Sequence, residues 1–131
     1  MNNMSIKKKK IVIIEDDSFI LKALEIKFKN KDFDILVASD GEAGLEMARR
    51  EAPDLVLLDL ILPKLPGFKV LEELKRGRKT KDILVMILTN LGQQDEEKKG
   101  RELGAIDYFV KANISLNVLV KRVEEVLAMV N

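Results

Sequence analysis

Hydrophobic residues occur in short runs along this chain, and longer amphipathic stretches separate the runs. Apolar runs of this length predict strands, and they cover residues 11–14, 33–38, 55–58, 83–88 and 107–110. The stretches between them predict helices over residues 18–31, 41–51, 68–76, 95–103 and 115–129. This strict alternation predicts an α/β fold, a doubly wound five-stranded parallel sheet covered by five helices.

The last two predicted helices differ in their polarity. The fifth has an apolar stripe that should face the sheet, formed by Leu116, Leu119, Val120, Val123, Leu127 and Val130. Val118 and Met129 lie on roughly the opposite face, as ordinary surface residues or as part of a partner surface. The fourth helix is polar nearly all round and contains Gly100, which costs about 1 kcal/mol relative to Ala. We expect it to be among the least stable elements.

Composition narrows the classes of protein. A length of 131 residues predicts one domain over residues 10–131, after a solvated basic tail over residues 1–9. The net charge of +1 gives no global field that favours nucleic acid or a membrane surface. The chain has no Cys and no His, so disulfides, zinc sites and a histidine base are excluded. No apolar run reaches the roughly 20 residues of a membrane span, and we expect a cytoplasmic protein.

Acidic residues follow two of the predicted strands directly. Glu15, Asp16 and Asp17 come after the first strand, and Asp59 comes after the third. The carboxyl ends of parallel strands meet at one edge of the sheet, where converging carboxylates repel one another unless a cation lies between them. We predict a Mg²⁺ site in which Asp16 and Asp59 bind the ion and Glu15 binds one of its waters. Asp17 is predicted to cap the first helix.

Three further strand exits and loops point at the same edge. The loop after Asp59 is stiffened by prolines, and it is predicted to aim the backbone carbonyl of Ile61 at the ion. Thr89 ends the fourth strand and Lys111 follows the fifth. An ammonium group and a hydroxyl at this place are suited to binding the oxygens of a phosphoryl group.

With these residues the chain resembles the receiver domain of bacterial two-component response regulators over residues 10–129. Glu15 and Asp16 match the acidic pair of that family, Asp59 the phosphoacceptor, Thr89 the switch hydroxyl, Tyr108 the switch aromatic residue and Lys111 the invariant lysine, while Leu62, Pro63 and Gly67 match the loop after the acceptor. The resemblance implies the flavodoxin-like strand order 2-1-3-4-5. It suggests a stand-alone receiver of the chemotaxis-regulator kind.

The resemblance also implies a chemistry. Asp59 takes a phosphoryl group from a phosphohistidine on a sensor histidine kinase or a phosphotransfer protein, with Mg²⁺ bound and Lys111 offsetting the charge. The protein is then not an enzyme in the ordinary sense, because it catalyses only its own phosphorylation and dephosphorylation. Ile61 and Leu91 are apolar residues beside the approach of the hydrolytic water, and they predict slow dephosphorylation.

The expected output is a change in one surface. Thr89 moves toward the new phosphoryl group and Tyr108 turns inward, which shifts the fourth helix and the surface that it forms with the fifth strand and fifth helix. An unknown downstream protein binds there, with no nucleic acid partner and no membrane insertion; a phosphorylation-dependent dimer is left open. Phe19 and Ile26 lie off the stripe of the first helix. They either dock the kinase, as this helix does in the family, or pack under a neighbouring loop.

The chain also departs from the family. Ala112 follows Lys111 where a cis proline is usual, so we expect a trans bond there. Asn90, Leu84 and Pro66 also differ from the common residues. Ala112 and Asn90 are the only support for a receiver that signals by binding alone. A phosphatase of the haloacid dehalogenase type would need an acid where Ile61 stands, and a flavodoxin-like cofactor binder would need a phosphate loop in place of the acids after the first strand.

Overall fold

The alternation of strands and helices is present throughout residues 8–130, which are the residues that the computed structural model describes. The strands are β1 (Lys9–Ile14), β2 (Phe33–Ala38), β3 (Leu55–Leu58), β4 (Leu84–Thr89) and β5 (Asp107–Val110). The helices are α1 (Ser18–Phe28), α2 (Gly41–Glu51), α3 (Gly67–Arg76), α4 (Gln94–Glu102) and α5 (Leu116–Ala128). Most of the predicted tail lies outside the described residues, and its last residue, Lys9, opens β1.

All five strands are parallel, and their order is β2-β1-β3-β4-β5, as predicted. Alternate residues of each strand face opposite sides, because the side-chain period of a strand is two. Val12 and Ile14 therefore belong to a core layer with α2 and α3, whereas Ile11 and Ile13 belong to a layer with α1 and α5. All four residues of β3 are buried. No helix among residues 8–130 is long and apolar enough to cross a membrane.

Helix ends follow from local chemistry. Asp17 caps α1 as predicted, because its Oδ1 accepts hydrogen bonds from the backbone N–H groups of Phe19 (2.9 Å) and Ile20 (3.3 Å). α1 ends at Phe28, earlier than predicted. The Phe28 ring packs edge-on against Phe33, at 5.8 Å between ring centroids, so the chain must turn there to enter β2. The predicted helix was too long at this end.

The exposed apolar residues divide the expectations. Phe19 (81% exposed) and Ile26 (62%) do not pack under a loop, so that interpretation is wrong. Val118 (58%) and Met129 (78%) are exposed on α5 and at its end. The predicted stripe of α5 is right for its central residues but wrong for Val130, because the helix ends at Ala128 and helical periodicity stops with it.

Candidate functional site

Carboxylates meet where β1 and β3 end. One oxygen each from Glu15, Asp16 and Asp59 lies within 4.8 Å of the others. Glu15 and Asp59 are buried, whereas Asp16 is exposed. The sheet ladder continues into these residues, since the Asp59 N–H donates to the Ile14 carbonyl at 3.0 Å. The site is therefore built on strand ends rather than on a mobile loop.

Lys111 lies between two of these acids. Its Nζ is 2.7 Å from Glu15 Oε1 and 3.0 Å from Asp59 Oδ2, and only 11% of its side chain is exposed. From the sequence we expect this lysine to face the acids, but its ion pair with Glu15 was not predicted. No peptide bond among residues 8–130 is cis, so the Lys111–Ala112 bond is trans, as expected from Ala112. The lysine reaches the acids despite the missing proline.

The charges in this cluster influence one another. Burial raises the pKa of Glu15 to about 7, and the hydrogen bonds from Lys111 and from the Asp17 backbone N–H oppose that rise. Burial alone would lower the pKa of Lys111, but its hydrogen bonds to Glu15 and Asp59 raise it. The ammonium group is therefore charged at neutral pH, and it is the internal counter-ion of the two buried acids.

The loop from Asp59 to α3 is held by the backbone. The Ile61 N–H donates to Asp59 Oδ1 at 3.2 Å, and the Gly67 N–H donates to the Leu60 carbonyl at 3.0 Å. A methyl group on Gly67 would lie 2.2 Å from the Asp59 carbonyl oxygen, so only glycine fits there. The Ile61 side chain is 55% exposed, and its carbonyl as a metal ligand stays a prediction.

Thr89 and Tyr108 are joined through the backbone of Leu91. The Leu91 N–H donates to Thr89 Oγ1 at 3.4 Å, and the Tyr108 hydroxyl donates to the Leu91 carbonyl. Both side chains are buried. Burial raises the pKa of Tyr108 to about 12, with smaller contributions from the charges of Glu96, Glu97 and Asp59. In this structure the Tyr108 ring is turned inward, buried beside Gly100 of α4, and its movement after phosphorylation stays a prediction.

The contacts that two residues make in this region were not predicted from the sequence. One is Leu91, whose backbone role has no signal in a sequence because any residue offers the same N–H and carbonyl. The other is Gly100, which lies against the Tyr108 ring. A glycine within a polar helix was a signal, but it was interpreted only as a loss of helix stability.

Comparisons with known proteins agree with this geometry. Residues 11–124 match the family model of the response regulator receiver domain. The chain is 40% identical over 124 residues to a probable transcriptional regulator ycf27 of Porphyridium aerugineum, covering 95% of this chain and 50% of that protein. It is 41% identical over 102 residues to the DNA-binding dual master transcriptional regulator RpaA of Synechocystis, covering 78% of this chain and 42% of that protein. The chain thus spans about half the length of the curated relatives it matches.

Solved structures give the same result. The BeF₃-activated N-terminal receiver domain of Klebsiella pneumoniae RstA has a TM-score of 0.79 and 31% identity, covering 88% of this chain and 96% of that one. The Mn²⁺-bound form of response regulator Rcp1 has a TM-score of 0.78 and 30% identity, covering 90% of this chain and 91% of that one. With its fold, its acidic cluster and the match over residues 11–124, this chain belongs to the response regulator receiver domain family of two-component systems.

Proposed function

We propose that this receiver is switched by phosphorylation of Asp59. An oxygen of the Asp59 carboxylate attacks the phosphorus of a phosphohistidine, the P–N bond breaks, and the imidazole of the donor leaves with the electron pair. The observation that carries the proposal is the contact between Asp59 Oδ2 and Lys111 Nζ at 3.0 Å, in a place where both groups are largely buried. The donor is a histidine kinase or a phosphotransfer protein.

Lys111 and Thr89 have complementary roles in this proposal. Lys111 neutralises one oxygen of the transferred group, and its raised pKa keeps it charged. Thr89 Oγ1 accepts a hydrogen bond from the Leu91 N–H, which leaves the hydroxyl proton to be donated to another phosphoryl oxygen. Because the Leu91 backbone also holds Tyr108, a movement of Thr89 is transmitted to the segment before α4.

The donor atoms of the cluster suit a hard divalent cation. The acids Glu15, Asp16 and Asp59 offer only oxygen, which favours Mg²⁺ or Mn²⁺ over softer metals. Rcp1 was solved with Mn²⁺ bound. We infer that Asp16, Asp59 and the Ile61 carbonyl would hold Mg²⁺, with Glu15 bound through a water. The ion would offset the negative charge of the phosphoryl oxygens.

The proposal is limited to the receiver. The expectation of a stand-alone protein without nucleic acid contact is not supported by the relatives, since the chain spans about half their length and RpaA is named a DNA-binding regulator. For this chain we propose that the phosphorylated form changes the surface of α4, β5 and α5. Exposed Val118 and Met129 are near this surface and available to a downstream protein.

We also propose that the phosphorylated form is long-lived. Ile61 is 55% exposed at the acceptor loop, and Leu91 is half-buried after β4. Both are apolar, so neither can orient a water for attack on the phosphorus. We expect a half-life of many minutes in a phosphate-release assay, and a half-life of seconds would contradict this prediction.

Phosphorylation is tested by intact mass. The protein is incubated with Mg²⁺ and a small acyl phosphate beside Asp59→Asn and Asp54→Asn. Asp54 is a matched control because it precedes the same strand at the opposite edge, where it accepts a hydrogen bond from the Lys10 N–H. We expect the wild type and Asp54→Asn to gain one phosphoryl group and Asp59→Asn to gain none. No gain in the wild type would favour a receiver that acts by binding alone.

A further inference from the structure

α4 contacts the sheet through a glycine. Gly100 is the one buried residue of this helix. A methyl group placed on it would lie 2.7 Å from Ile87 Cδ1, and 3.3 Å and 3.5 Å from two carbons of the Tyr108 ring. Carbon atoms in contact are normally about 3.5–4.0 Å apart. A residue with a side chain at this position would therefore require the end of the Ile87 side chain to move, the Tyr108 ring to shift, or α4 to stand further from β4 and β5.

The same helix and the loop before it hold Tyr108 from two sides. The ring lies against Gly100, and the hydroxyl donates to the carbonyl of Leu91, just before α4 begins. Tyr108 is 7% exposed as a result. Leaving this position would break the hydrogen bond and remove the ring from the underside of the helix at the same time.

α4 has few other contacts that could set its distance from the sheet. Its remaining residues are half-buried or exposed. One such contact is a cation–π interaction between Lys99 of α4 and the ring of Phe68 in α3, with the Lys99 Nζ 4.5 Å from the ring centroid. Glycine is also the least favourable residue here for helix propensity, apart from proline. Its presence is explained by the close approach that it permits.

We propose that Gly100 is a positioning residue for Tyr108. Because glycine has no side chain, α4 can pack close enough to β4 and β5 to keep the Tyr108 ring buried in its inward position. The inference rests on the proposed function, since it concerns the switch aromatic residue, and it names what holds that residue. The inward position of the Tyr108 ring and the close packing of α4 on the sheet then depend on each other. A signal that moves one of them must move the other.

The chain offers a direct probe of this mutual dependence. It contains one tyrosine and no tryptophan, so tyrosine emission reports on Tyr108 alone. Acrylamide quenching is compared between the wild type, Gly100→Ala and Gly92→Ala. Gly92 is a matched control because a methyl group there would lie 3.4 Å from Val110 side-chain atoms, an ordinary contact. We expect the quenching constant to rise roughly twofold or more in Gly100→Ala and to stay at the wild-type value in Gly92→Ala.

A second variant separates positioning from folding. Ile87→Val removes the Cδ1 atom that the new methyl group meets, so Gly100→Ala combined with Ile87→Val should fold and return quenching to the wild-type value. Unchanged quenching in folded Gly100→Ala, an equal rise in Gly92→Ala, or no recovery in the double variant would overturn the proposal. The readout needs no phosphoryl donor. Failure of Asp59 phosphorylation would therefore be seen separately, in the mass experiment.

Discussion

Two partly buried lysines lie at opposite ends of the sheet. At the carboxyl end, Lys111 binds the carboxylates of Glu15 and Asp59, which raise its pKa. At the amino end, Lys75 donates to the backbone carbonyls of Lys81 (3.0 Å) and Ile83 (2.7 Å), and burial lowers its pKa despite the opposing charge of Asp82. The carboxylates carry a charge that a metal ion or a phosphoryl group can offset or change, whereas the carbonyls of Lys81 and Ile83, in the turn before β4, are neutral. The difference separates a site that can change partners from a contact that only stabilises the fold.

The largest effect should distinguish the two lysines by activity. We expect Lys111→Met to lower the rate of phosphorylation by about 100-fold or more, since it removes the charge that we propose offsets the phosphoryl oxygens. Lys75→Met should leave that rate unchanged. Both rates are measured by the gain of mass from an acyl phosphate. Equal rates in the two variants would contradict the prediction that only Lys111 acts in phosphorylation.

The pH dependence of stability should come from the carboxyl end. The pKa of Glu15 is about 7 in the folded protein and 4.5 ordinarily, so the folded state binds more protons than the unfolded state between these values. The free energy of unfolding should therefore fall, by roughly 1–3 kcal/mol, as the pH rises from 4.5 to 7. Urea unfolding with a chelator present measures it. The chain has no histidine, so no imidazole contributes to the pH dependence of stability in this range. Glu15→Gln should abolish the decrease in the free energy of unfolding.

A smaller effect is expected at the amino end. Lys75→Met leaves the carbonyls of Lys81 and Ile83 without their donor, and we expect a loss of about 1–2 kcal/mol in the free energy of unfolding. The loss should be the same at pH 5 and pH 8, because both hydrogen bonds of Lys75 go to backbone carbonyls, which do not titrate in this range. Lys79→Met, which alters an exposed lysine nearby, is the control, and an equal loss there would contradict the interpretation.

The smallest effect is expected for Asp54→Asn. The side-chain amide oxygen can still accept from the Lys10 N–H, which the carboxylate does at 2.8 Å. We expect a change of less than about 1 kcal/mol in urea unfolding. A larger loss would show that the amino end also depends on a charge.

The sequence was sufficient for the parts of the molecule that periodicity controls. β2, α2, β3 and β5 have the predicted bounds, because short apolar runs and helix caps determine them locally. The meeting of Glu15, Asp16 and Asp59 followed from the rule that parallel strands end at one edge. These predictions needed no knowledge of side-chain conformations.

Contacts that depend on tertiary distances were not predictable. The bond between Lys111 and Glu15 depends on the rotamer of a long side chain after β5. The role of Gly100 depends on how far α4 stands from the Tyr108 ring, and helix propensity alone gave it the opposite meaning. The end of α1 was missed because Phe28 packs on a residue of the next strand.

The length of β3 has a consequence for the whole site. Its four residues alternate between the two core layers, Leu55 and Leu57 on one side and Val56 and Leu58 on the other. Losing or gaining one residue here would exchange the two sets and turn Asp59 away from the cluster, even if every residue stayed apolar. Substitutions in β3 change the packing gradually, whereas adding or removing one residue would take the Asp59 carboxylate out of the cluster. The number of residues before Asp59 is as much a part of the site as its carboxylate.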